Sequence, residues 1–64
     1  MALEHLAVDE LRRVRALRAA KGLANAARSL GLAEVTLEHI CGGQPMLPAT
    51  AARVRAALAK LAAG

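Results

Sequence analysis

The sequence predicts an all-α domain of four to five short helices, and three observations predict it. The 64 residues contain no Phe, Tyr or Trp and few β-branched side chains, so the apolar 56% consists mainly of residues that suit close-packed helices rather than strands. Apolar residues recur at steps of three and four in the segments between glycines. Within Leu23 to Gly43 a helix breaker, Gly31, separates two short amphipathic runs.

The first helix is predicted to start at Val8-Asp9-Glu10-Leu11, with Asp9 as N-cap and acidic residues at the positive end of the helix dipole. Leu11, Val14 and Leu17 share one face, and Arg12, Arg15 and Ala19 fall on the other. Lys21-Gly22 places a cation in the last turn and a glycine beyond it, which ends the helix. Before it, Leu3, Leu6 and Ala7 either extend the helix backwards or form an arm docked on a neighbour. A separate N-terminal segment over residues 1–8 is the expectation.

A second helix is expected from Leu23 or Ala24 to Leu30, and a third from Ala33 to Cys41, stopped by Gly42-Gly43. Gly31 supplies the left-handed residue that a tight turn between them needs. Ala27 lets the two backbones approach, while Leu30, Leu32, Leu37 and Ile40 seal the corner. A helix–turn–helix unit over 23–43 follows. The loop Gln44-Pro45-Met46-Leu47 leads to Pro48, a residue suited to the first position of a helix. From there to Ala62, the residues Val54, Leu58 and Leu61 line one face.

Size and charge bound the function. A chain this short forms one small domain and buries only about 60% of its unfolded surface. A single cysteine, Cys41, rules out an internal disulfide framework. The N-terminus lacks the basic start and apolar run of a signal peptide, so a soluble cytoplasmic protein is expected. The net charge of +4 is uneven: −1 over 1–8, +3 over 9–21, −1 over 22–43 and +3 over 44–64. Such a basic balance points to nucleic acid or another polyanion. An enzyme is not expected, because no nucleophile–base pair, phosphate loop or metal cluster is visible. His39, Glu38 and Cys41 do not converge on one helix face, so neither a metal site nor a cofactor is expected.

Leu30-Gly31-Leu32, Thr36-Leu37, Ile40 and Gly43-Gln44-Pro45 resemble the phage Cro/repressor-type helix-turn-helix family. In that family a similar Leu-Gly-Val-Ser-x-x-Thr-Ile-x-x-Ile run precedes a glycine, a polar residue and a proline. Pro48 through Leu61, with Thr50, Arg53 and Val54, is similar to the family's closing helix, so the resemblance covers about Leu11 to Leu61. It implies a lambda-repressor-like fold and a sequence-specific transcriptional regulator, typically a repressor, that binds double-stranded DNA as a homodimer. Three polar anchors common in the family are replaced here by Ala33, by Leu47 and by Leu23-Ala24. Phosphate clamping then falls to backbone N–H groups and arginines.

On a helical wheel Glu34, Val35, Glu38, His39 and Gly42 share the outward face of the third helix. Glutamate can accept from the cytosine amine, Val35 can meet a thymine methyl, and His39 can bond a base edge or a phosphate. The plainer reading is that Glu34 complements the helix dipole and Glu38 is a solvated charge. Arg12, Arg15, Arg18, Arg28 and Arg53 are the phosphate-contact candidates, joined by Thr36 and Gln44 from the resembling motif. Their bland alternative is solubility and pairing with Asp9, Glu10 or Glu4. Ala49, Ala52, Ala56, Ala59 and Ala63 form a small-residue stripe that could pack across a dimer axis, with Leu3, Leu6 and Met46 as rival contacts. Alanine is equally the best helix former on an exposed face. A second functional reading keeps the same fold as a protein-interaction adaptor, its Glu34/Glu38/His39 face docking a basic partner.

Overall fold

Local stop signals set where each helix begins and ends. In the computed structural model, which describes residues 2–63, the helices are α1 Val8–Lys21, α2 Leu23–Leu30, α3 Glu34–Cys41 and α4 Pro48–Ala63. The described residues hold four helices and no fifth. Met1 and Gly64, at the ends of the expected 1–64 domain, lie outside the described residues.

Asp9 is not the N-cap of α1. That position is Ala7, whose side chain cannot cap, and Glu10 serves instead by accepting from the Ala7 N–H at 2.8 Å. Asp9 is left in the first turn, where its charge complements the helix dipole. One residue, Gly22, separates α1 from α2, and its N–H donates to the Arg18 carbonyl at 2.8 Å.

The turn between α2 and α3 is Gly31-Leu32-Ala33. Gly31 adopts φ 69°, donating to the Arg28 carbonyl at 3.2 Å, and Leu32 donates to Ala27 at 2.9 Å. This pair of bonds is the Schellman arrangement, which satisfies carbonyls a helix end would otherwise leave open. The same device ends α3: Gly43, at φ 81°, donates to Ile40, and Gln44 donates to His39. Two glycine-terminated helices with a three-residue link explain why α2 and α3 hold a fixed corner.

The core is Val14 from α1, Ala26, Ala27 and Leu30 from α2, Leu37 and Ile40 from α3, Met46 from the loop, and Ala51, Val54 and Leu58 from α4. Three of these ten residues are alanines, so backbones rather than long side chains meet where α2 and α4 pack. The helices α1 and α2 each approach all three others, while α3 and α4 flank them without close backbone approach to each other. The Cα radius of gyration is 10.6 Å, against about 11 Å for a folded chain of this length.

The N-terminal segment is an arm and not a backward extension of α1. Glu4 and Met46 exchange backbone hydrogen bonds of 2.7 and 2.8 Å in an isolated antiparallel bridge, and Leu6 packs half-buried on the core. Leu61, expected on the core face of α4, remains 43% exposed and lines an open groove with Leu17 and Leu58. No described helix is long and apolar enough to cross a membrane.

Candidate functional site

The outward face of α3 matches its wheel. Leu37 and Ile40 are buried, Thr36 is half-buried, and Glu34, Val35, Glu38, His39 and Gly42 are exposed. Glu34 sits in the first turn of α3, where its charge offsets the missing side-chain cap at Ala33. Among the described residues neither Glu34 nor Glu38 forms an ion pair. The row is a solvated acidic edge around one exposed valine.

The arginines divide by what they hold. Arg15 Nε donates to the Cys41 carbonyl at 2.9 Å, satisfying the last carbonyl of α3. Arg53 Nη1 donates to the Gly31 carbonyl at 3.3 Å, bracing the α2–α3 turn from α4. Arg13 Nη2 donates to the Leu58 carbonyl at 3.0 Å. Each of these guanidiniums keeps further N–H groups for other acceptors. Arg12, Arg18 and Arg28 are exposed and show no side-chain bond among the described residues. Arg28 lies on α2, and Arg12 and Arg18 lie on α1.

Arg55 takes the pairing role that local spacing assigned to the α1 arginines. Its Nε meets Glu10 Oε2 at 3.0 Å and its Nη1 meets Glu4 Oε1 at 3.2 Å. Its Nη2 also donates to the His5 carbonyl at 3.4 Å. The Arg55 hydrogen bond, then that from the Ala7 N–H, holds the Glu10 carboxyl below its ordinary value. These partners are 45 and 51 residues apart, so no helical periodicity could reveal them. The only available signal was that α4 carries cations and the arm carries an acid.

Of the remaining site candidates, Gln44 is exposed in the loop after α3. Thr36 lines a shallow pocket of about 260 Å³ with His39, Leu3, Pro45, Leu47 and Thr50, beside the outward face of α3. Of the dimer candidates, Ala52, Ala56 and Ala59 are exposed along α4 and Leu3 is 54% exposed. Met46 is corrected: at 7% exposure it belongs to the core, because its backbone bridge to Glu4 turns the side chain inward. Leu6 is likewise half-buried against that core and presents little surface for a partner.

One groove was not foreseen. About 480 Å³ opens between α1, the start of α2 and the end of α3, lined by Arg15, Arg18, Ala19, Gly22, Leu23 and Cys41. Sequence reasoning offered Arg15 and Arg18 as phosphate-contact candidates but did not bring them together in one groove.

Compared with protein-family models, with curated proteins and with solved structures, the chain matches none.

Proposed function

We propose that this chain is a small sequence-specific DNA-binding regulator with a lambda-repressor-like helix-turn-helix fold, acting as a dimer, in which α3 enters the major groove. The observation that carries the reading is the outward row Glu34, Val35, Glu38 and His39 on a short helix, braced by the Gly31 turn and the Arg53 bond. A helix fixed at both ends by the core can present such a row to base edges, with carboxylates accepting from cytosine amines and Val35 meeting a thymine methyl. Arg28 on α2 and the arginines of α1 supply the phosphate attraction that the acidic row lacks.

The test is selection from a randomised duplex library at near-physiological salt. A palindromic motif should be enriched, and Val35 and Glu38 variants should change preference at single positions. Arg28→Ala should weaken binding uniformly and reduce the salt slope by about 1. Binding that enriches no motif and vanishes as salt rises overturns the reading.

A second reading has its own support. Val35, 63% exposed, lies between Glu34 and Glu38, neither of which is ion-paired among the described residues, and Leu47, 52% exposed, lines a pocket with His39. An acidic, partly apolar surface of this kind suits a basic protein partner. Reversing Glu34 and Glu38 to lysine distinguishes the two: an adaptor loses its partner, whereas a DNA reader gains generic duplex affinity.

A further inference from the structure

We infer that the groove between α1, the start of α2 and the end of α3 is a seat for one phosphate group, gripped by Arg15 and Arg18. Arg15 and Arg18 both line the same opening of about 480 Å³, and no acidic residue lines it. Neither arginine pairs with an acid among the described residues, since both ion pairs of the chain there belong to Arg55. Two like charges three residues apart on one helix repel each other, and an anion between them reverses that repulsion.

Arg15 is already positioned for the task. Its Nε is committed to the Cys41 carbonyl at 2.9 Å, which fixes the plane of the guanidinium and leaves the terminal nitrogens as donors. Arg18, one turn further along α1, supplies a second fork. A carboxylate satisfies one fork, but a phosphate carries enough oxygens for two, so the pair selects phosphate chemistry. Ala19 and Leu23 add an apolar wall that suits the carbon flank of a phosphate ester. At Gly22 nothing lies within 4 Å of where a Cβ would stand, so the mouth of the groove is open.

The phosphate has two sources, a DNA strand or a free phosphomonoester. For a DNA phosphodiester the seat rests on the function proposed above, and for a free phosphomonoester it does not. Cys41 forms part of the wall and is half-buried, so its thiol reports occupancy. The experiment measures the alkylation rate of Cys41 in the full chain with inorganic phosphate, a nucleoside 5′-monophosphate, or a short duplex of random sequence. It is run on the parent, on Arg18→Gln, and on Arg12→Gln as an equal charge change elsewhere on α1. Circular dichroism establishes that both variants fold.

Phosphate-bearing probes should slow alkylation severalfold in the parent and in Arg12→Gln. In Arg18→Gln the concentration for half-protection should rise about tenfold, the loss of one charge-assisted hydrogen-bonded pair. Protection by the duplex but not the monophosphate assigns the seat to a DNA backbone, and the reverse assigns it to a free phosphomonoester. If no probe protects Cys41, or if Arg12→Gln loses protection as fully as Arg18→Gln, the seat is overturned. Duplex binding that persists in that case leaves the DNA-binding reading standing without it.

Discussion

Glu4 and Met46 exchange backbone hydrogen bonds in both directions, 2.7 and 2.8 Å, which ties the N-terminal arm to the loop between α3 and α4. Arg55 reinforces the tie from α4 by holding the Glu4 carboxylate and the His5 carbonyl. The same guanidinium holds Glu10, the residue that caps the start of α1. One side chain therefore links the arm, the first helix and the last.

Arg55→Gln should release that link without unfolding the core. The Glu4 and Met46 amides should exchange with deuterium faster, while those of Leu37 and Val54 change little. Unchanged exchange at Glu4 would mean that the backbone bridge alone holds the arm.

Acidification should act on the same place. The Glu10 carboxyl lies below its ordinary value of 4.5, first through the Arg55 hydrogen bond and then through the Ala7 N–H. A carboxyl depressed in the folded state contributes stability above its unfolded value, and that contribution is lost as pH falls through the folded one. The melting temperature should therefore drop below pH 4.5 more steeply in the parent than in Glu10→Gln. Parallel profiles would show that Glu10 carries no such linkage.

Leu37 and Val35 are two residues apart on α3 yet should respond oppositely. Leu37 is fully buried, so Leu37→Ala should cost about 2–5 kcal/mol through lost burial and a cavity. A domain of this length has a total stability of only about 3–10 kcal/mol, so that loss approaches the whole. Val35, 63% exposed, should tolerate alanine within about 0.5 kcal/mol. Urea unfolding of both variants checks the contrast.

Gly31→Ala isolates backbone strain from crowding. A Cβ there would meet the Arg53 Cδ at 3.7 Å, an ordinary contact, whereas the φ of 69° disfavours any side chain. The expected loss is about 1–2 kcal/mol. Gly42→Ala, at φ −77° with its nearest contacts at 3.5 Å, should be close to neutral. Equal losses at the two positions would place the cost in packing.

Ala33→Ser should stabilise the chain. Ala33 holds the extended N-cap conformation, φ −71° and ψ 151°, but has no side chain to cap with. A serine hydroxyl there can accept from the free N–H groups of the first turn, worth about 1 kcal/mol. A thermal melt that does not rise would show that Glu34 or water already satisfies them.

The helices and the corner were legible because their signals are local. Gly22, Gly31 and Gly42-Gly43 mark ends, Pro48 marks a start, and periodic leucines give the inward face. The outward row of α3 follows from the same periodicity. The cap of α1 was misplaced because Asp9 is a better capping residue than Ala7 in isolation. Helix registry and the reach of Glu10 decided otherwise.

The sequence by itself determined an all-α chain of four to five helices, the left-handed glycine of the α2–α3 turn and the residues that α3 turns outward, and the structure set the number of described helices at four. Each depends on neighbours within a few positions, where hydrogen bonding and side-chain periodicity act directly. Only the tertiary structure decided that Arg55 would bind the arm, that Met46 would enter the core, and that Arg15 and Arg18 would share a groove with Cys41. Those outcomes join residues 23 to 51 positions apart, and no local preference encodes them. They arise when packed helices bring distant charges and carbonyls within hydrogen-bond reach.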